Sequence, residues 1–253
     1  MYQIMPQPCR VTSFRSGPVD YVAALSWQRR LQVARQAKII PDTLLLLEHT
    51  PVVTVGRGSR DLTDLTAGED GLASRGIALA MTDRGGEMTY HAPGQLVGYP
   101  ILDLSTHGSD LHRYLRDIEE TIIRALSVFG VSGGRIPGLT GVWVGQEKIC
   151  AIGIKVSRWV TIHGFALNND IDLSPFQRDF VPCGIHDKGV TSLAQLGVTA
   201  KRIEVEQACL GAFAEVMGVE FANVTERGML SILADLAYLD QNGSIATGAA
   251  TIR

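Results

Sequence analysis

Two stretches of this chain hold residue types that can do chemistry. In the first, Val181-Pro182-Cys183-Gly184-Ile185-His186, a thiol sits between a proline and a glycine. The proline stiffens the approach and the glycine frees the departure, so such a turn holds the thiol out at a fixed angle. A free thiol has a pKa of about 8.5, so only a small fraction is thiolate at neutral pH. As a nucleophile Cys183 therefore needs a cation or base beside it. Without one it is a small buried hydrophobe, the common fate of a lone cysteine. The second stretch runs from Asp83 to Gln95 (DRGGEMTYHAPGQ) and brings together Arg84, Gly85, Gly86, Glu87, Met88, Thr89, Tyr90 and His91. Glycines let a backbone pass close to a ligand, so this segment can wall a pocket and present backbone donors to it. It is no P-loop, because no Gly-Lys-Ser/Thr ending follows. A hairpin loop with a satisfied core histidine is the plainer alternative.

Lys148, Lys155, His91, His163 and His186 are the candidate partners for the thiol. Strand alternation groups Lys148 with Cys150, Ile152, Ile154 and Val156, and Lys155 with Ile149, Ala151 and Gly153. If the apolar set faces the core, Lys148 starts at its rim, where desolvation favours the neutral amine that can act as a base. A solvated hairpin lysine is the alternative. Alternation also sets Ala151 and Gly153 opposite Lys148. One site can use all three only if the strand bulges or the small residues act through their backbone. Cys183 and His186 lack the ligand spacing of a zinc site, so no metal is expected. A Cys-His arrangement with His163 as base stays open, though no local family signature supports it.

Regular elements must position these groups. Pro18 suits a first helical position, and Val22, Leu25 and Leu31 give an amphipathic helix to about Ala37. Thr43 to Glu48, Val52 to Val55 and Ile77 to Thr82 read as strands, followed by an apolar stretch from Leu96 to Leu104. Pro100 in that stretch suits an edge or a bulge. Ser109 can cap a helix that ends at Gly130, and Gly141 to Val144 with Lys148 to Val156 forms a hairpin turning near Gly145-Gln146. Val160 to Asn168 is a further strand, Asp172 to Gly189 a loop, Ser192 to Leu196 a short helix and Lys201 to Met217 a longer one. Cys209 falls inside the last and reads as structural. The sum is one α+β domain with a mixed sheet flanked by helices, over residues 1–240, with 241–253 a flexible tail.

Composition bounds the function class. The 253 residues are 45% hydrophobic and 19% charged, with a net charge of −3. This balance gives no bulk attraction to nucleic acid or to anionic lipid, although a local basic patch can still receive an acidic partner. Met1 to Arg10 shows no secretory signal, and no apolar run is long enough to span a bilayer. The four cysteines, Cys9, Cys150, Cys183 and Cys209, show no paired pattern, so reduced thiols in a cytoplasm are expected.

Several motifs together carry a resemblance. Arg84-Gly-Gly-Glu-Met-Thr-Tyr-His91 is followed by Pro93-Gly94-Gln95, then Gly141-Val-Trp-Val and Lys148-Ile-Cys-Ala-Ile-Gly153. His163-Gly-Phe-Ala-Leu-Asn168, Asp172-Leu-Ser-Pro-Phe176 and Pro182-Cys183-Gly184 complete the set. In these motifs, from about Thr43 to Leu196, the chain resembles the lipoyl(octanoyl) transferases of the LipB type. The resemblance implies the fold of the biotin and lipoate protein ligase catalytic domains. It implies octanoyl transfer from acyl carrier protein to a lysine of a lipoyl domain, with Cys183 as acyl-thioester nucleophile and Lys148 as its base. It assigns substrate contacts to Arg84–His91, to Ala151, Ile152 and Gly153, and to Gly164, Phe165 and Ala166, with His163 in possible support. The donor partner is then octanoyl-acyl carrier protein. The acceptors are lipoyl domains of 2-oxoacid dehydrogenase E2 subunits and the glycine cleavage H protein. No cofactor, nucleic acid or membrane is implied, and a monomer is the working expectation. The chain departs from the family at Ala92, where glycine is usual, which either narrows the pocket or changes nothing.

Rival readings are an ATP-dependent lipoate or biotin protein ligase of the same fold, an octanoyl amidotransferase between lipoyl domains, and a non-catalytic acyl- or carrier-binding module. Gly56-Arg57-Gly58 faintly suggests a ligase glycine loop. A ligase, however, needs no cysteine nucleophile.

Overall fold

The computed structural model describes residues 7–59, 62–180 and 188–241. A large mixed sheet forms its spine. Its strands are β1 (Gln7–Ser13), β2 (Asp42–Leu47), β6 (Gln95–Ile101), β7 (Gly134–Ile136), β8 (Leu139–Val144), β9 (Glu147–Ser157), β10 (Val160–Asn168), β11 (Gly189–Val190) and β12 (Val219–Asn223). They run in the order β12-β1-β2-β6-β10-β9-β8-β7, with β11 added beside the start of β9. A separate small sheet holds β3 (Val52–Val55) between β4 (Ala78–Met81) and β5 (Met88–His91). The mixed sheet expected from sequence is thus accompanied by a second, smaller sheet.

The four consecutive leucines of β2 show why the large sheet is covered on both faces. Leu44 and Leu46 enter one apolar cluster and Leu45 and Leu47 another, as period-two alternation requires. The first cluster packs under α3 (Leu111–Ser127) and α5 (Arg202–Met217), the second under α1 (Tyr21–Gln36) and α6 (Glu226–Gln241). Cys9, Cys150 and Cys209 lie buried in the first cluster. Two short helices, α2 (Gly68–Ala73) and α4 (Ser174–Arg178), border a third cluster on the small sheet.

Several sequence expectations change. Helix α1 begins at Tyr21 with Asp20 as its cap, whose carboxylate accepts from Ala23 N at 2.9 Å, so Pro18 lies outside it. Asp110, not Ser109, caps α3, accepting from Arg113 N at 3.0 Å. Residues 193–197 form turns rather than a helix, and the loop after Asp172 contains α4. Pro100 sits in β6, between β2 and β10, and so is central rather than at an edge. The β6–β10 ladder runs from Asn168↔Gln95 to Phe165↔Gly98 and is interrupted beyond it. There Thr161 Oγ1 donates to Pro100 O at 2.7 Å and accepts from Leu102 N at 2.9 Å. A proline is thus tolerated mid-sheet because the ladder opens where its N–H is missing.

Candidate active site

The ladder opening shapes one wall of a cavity of about 260 Å³. At His163 the strand turns through φ +61°, a left-handed conformation that costs a non-glycine residue about 1–3 kcal/mol. The freed amide is met by helix α1: His163 N donates to the fully buried Gln28 Oε1 at 2.8 Å. Gln32 Nε2 likewise donates to Val160 O at 2.7 Å. Two glutamines on a helix's buried face thus satisfy an irregular strand. His163 Nε2 donates to Asp83 Oδ1 at 2.9 Å, and Lys155 Nζ reaches Asp83 Oδ2 at 2.7 Å. Burial lowers the His163 imidazole to about 4 despite the Asp83 carboxylate, so it is neutral at pH 7. Burial alone would raise the Asp83 carboxyl, but Lys155 and His163 outweigh it and hold it well below the usual range.

The opposite wall is the Asp83–Gln95 segment. Gly85 N donates to Ile154 O at 2.9 Å, laying the loop across β9. A side chain at Gly153 would come within 2.7 Å of Gly85 O, so only glycine allows this approach. Arg84 Nη2 donates to both Thr54 O and Thr54 Oγ1 at 2.8 Å. The Thr54 hydroxyl is 3.4 Å from His91 Nε2, while His91 Nδ1 donates to Gln95 Oε1 at 2.7 Å. Gln95 Nε2 passes on to Asn168 Oδ1 at 2.8 Å, and Asn168 Nδ2 to Thr191 O at 2.8 Å. The network assigns His91 as the neutral Nδ1–H tautomer. Burial, with His49 nearby, keeps its pKa well below the ordinary value.

The third element is β9, and a bulge decides its geometry. Pairing with β8 advances one residue from Val142 to Trp143 while β9 steps two, from Cys150 to Lys148. Ile149 and Cys150 consequently both point into the core, each fully buried. Lys148 is thereby turned to the face of Ala151 and Gly153, which strict alternation denied it. Gly141 makes room: at φ +125° it lies so close that a Cβ would be 2.8 Å from Cys150 O and 3.4 Å from Lys148 Cε. Its amide donates to Glu119 Oε1 at 3.1 Å, and this buried carboxylate also takes Arg116 at 2.6 Å and Arg135 at 2.9 Å.

Of the residues singled out in sequence, Arg84, Gly86, Glu87, Met88, Thr89, His91, Lys148, Ala151, Ile152, Gly153, His163, Gly164, Phe165 and Ala166 line the cavity. Gly85 and Tyr90 do not. Gly85 acts through its backbone, and Tyr90 packs edge-on against Phe176 with centroids 5.7 Å apart. Ala92 is buried in the third cluster, away from the wall. The wall also includes Tyr21, Val97 and Tyr99, which sequence reasoning did not single out. Lys148, Thr89 and Ala151 are shared with a smaller adjoining cavity lined by Trp143, Phe176, Lys188 and Val190. Cys183 and His186 lie outside the described residues, as do Pro182 and Gly184. The chain on either side of them, Phe176 and Phe180 before and Val190 after, packs into one cluster, and Val190 pairs with Lys148.

The lipoyl protein ligase A/B catalytic domain matches residues 20–214. The chain belongs to this family. An octanoyltransferase of Chloroflexus aggregans is 50% identical over 84% of this chain and 97% of its own. One of Rubrobacter xylanophilus is 52% identical over 80% of this chain and 91% of its own. Within this family the chain is therefore an acyltransferase. Among solved structures, a lipoate-protein ligase A bound with ATP superposes with a TM-score of 0.73 at 17% identity, over 92% of this chain and 94% of that one. A bipartite lipoate protein ligase from Thermoplasma acidophilum gives 0.71 at 18%, over 92% of each chain. These two establish the shared fold.

Proposed function

We propose that this acyltransferase moves an octanoyl group from acyl carrier protein to a lysine of a lipoyl domain, through a thioester on Cys183. The observation that carries this reading is the bulge in β9. It places Lys148 in the wall shared by the two cavities, beside the strand that follows residues 181–187. Cys183 stands three residues after the buried Phe180, a chain length of at most about 11 Å. The octanoyltransferase relatives support the acyl group, and a cavity of about 260 Å³ suits a small one. It lies just under the ~300 Å³ lower end of ordinary ligand sites.

In the proposed chemistry Lys148 takes the Cys183 proton. The thiolate attacks the carbonyl carbon of the donor thioester, the tetrahedral intermediate collapses, and the carrier's thiol leaves with a proton. The acceptor lysine then attacks the acyl-enzyme as a neutral amine. The C–S bond breaks, an amide forms, and Cys183 recovers its proton. An amide lies downhill from a thioester, so no ATP is consumed. Residues 1–240 act as one catalytic domain on this reading.

The test is transfer from octanoyl-carrier protein to a purified lipoyl domain without nucleotide. Octanoylation of the domain lysine supports the reading. A strict requirement for ATP, or tight carrier binding without transfer, contradicts it.

A further inference from the structure

Trp143 has no place in the scheme above, yet it is Lys148's cross-strand partner. Lys148 Nζ lies over its indole, 4.8 Å from the ring centroid. That is inside the ~6 Å range of a cation–π contact, and indole is the strongest of the aromatic partners. Trp143 is nearly fully buried, and its ring is walled into the small cavity with Lys148. Its indole N–H finds no hydrogen-bond partner among the described residues. A buried indole ordinarily satisfies that donor. Here the ring is held for its face rather than its edge.

The bulge makes the arrangement possible. Without the extra residue in β9, Lys148 would point into the core with Cys150, and no aromatic face would lie beneath it. We infer that Trp143 is a positioning residue that seats Lys148 as the ammonium ion and so stabilises the ammonium–thiolate pair over the amine–thiol pair. The inference rests on the proposed proton transfer from Cys183 to Lys148. A π face favours the cation and gives the neutral amine almost nothing, so it acts on the product side of that transfer. Other charged or titratable groups border the lysine. Glu147 precedes it on β9, Cys150 lies beneath, Glu119 of α3 holds the facing Gly141, and Lys188 stands across the small cavity.

The test follows the rate of Cys183 alkylation by iodoacetamide between about pH 6 and 10, read by intact mass. Cys9, Cys150 and Cys209 are buried with raised thiol pKa values, so they do not compete. Trp143→Leu is expected to raise the thiolate midpoint by about 0.4–1.5 pH units, slowing alkylation at neutral pH by about 3- to 30-fold. Trp143→Phe keeps an aromatic face in the slot and is expected to fall between. It also guards against a folding defect in the leucine variant. In a Lys148→Met background, Trp143→Leu is expected to add no shift. An unchanged midpoint in Trp143→Leu, or the same shift with and without Lys148, overturns the inference. If Lys148→Met itself leaves the midpoint unmoved, the proton-transfer reading falls and the inference with it. If Lys148→Met moves it and Trp143→Leu does not, only the inference falls.

Discussion

Replacing Gly141 with alanine tests whether the bulge positions Lys148. Two costs add. A side chain at φ +125° is strained by about 1–3 kcal/mol. The new methyl would also lie 2.8 Å from Cys150 O, a backbone atom of the bulge that cannot swing away. Overpacking of this kind costs about 1–3 kcal/mol more. The sum is about 2–6 kcal/mol, or a fall in Tm of roughly 4–24 °C for a chain this size. Gly108→Ala is the control: it has φ +92° with nothing within 4 Å of an added Cβ, so it carries the strain without the clash. Thermal unfolding of both variants isolates the steric part. Because the clash is with the bulge backbone that orients Lys148, and the new methyl would also touch Lys148 Cε, Gly141→Ala is also expected to lose at least about tenfold in turnover at a temperature where it is folded. A Gly141→Ala protein as stable as Gly108→Ala and as active as the parent refutes the argument.

Stability should also depend on pH in the acid range. His49 and His163 are each lowered to about 4 by burial, so between pH 6.5 and 4 the unfolded chain binds protons that the folded chain does not. Stability is therefore full above pH 6.5 and falls as pH drops toward 4, by up to about 1.4 kcal/mol per unit for each histidine. Urea unfolding at stepped pH should show this slope, and His163→Gln should flatten it; a flat wild-type profile contradicts it. Glu119→Gln removes the charge that gathers Gly141, Arg116 and Arg135, and since both arginines can rehydrate, a loss of about 1–3 kcal/mol in chemical denaturation is expected. Shortening the donor acyl chain by two carbons should lower kcat/KM by roughly 15-fold, from ~0.8 kcal/mol per CH₂; equal rates would exclude an enclosed tail. Ala92→Gly should leave that chain-length preference unchanged, because Ala92 packs in the third cluster and not in the cavity wall.

Local patterns carried most of the central fold. The β2 leucines, the β8–β9 hairpin and helix α5 were legible because each is a long apolar or periodic run with turn residues beside it. Strands β1 and β12 were not, because they pair with each other across some two hundred residues and alternate only weakly. The two site features that decide geometry were the hardest to see. A bulge leaves no mark on composition, although strict alternation, which sets Lys148 and Ala151 on opposite faces, made a bulge one of two ways for both to serve one site. The left-handed His163 could not be read, because its cause is spread over Pro100 in the neighbouring strand and Gln28 in a distant helix. Glutamines on a buried helix face were the available signal.

The most direct measurement is intact mass after incubation with octanoyl-carrier protein. The account expects a single octanoyl adduct on the wild-type chain, mapped to the peptide containing Cys183, discharged by a lipoyl domain and absent from Cys183→Ala. A wild-type-like adduct persisting in Cys183→Ala, or octanoylation of the domain at full rate by that variant, would contradict the thioester mechanism.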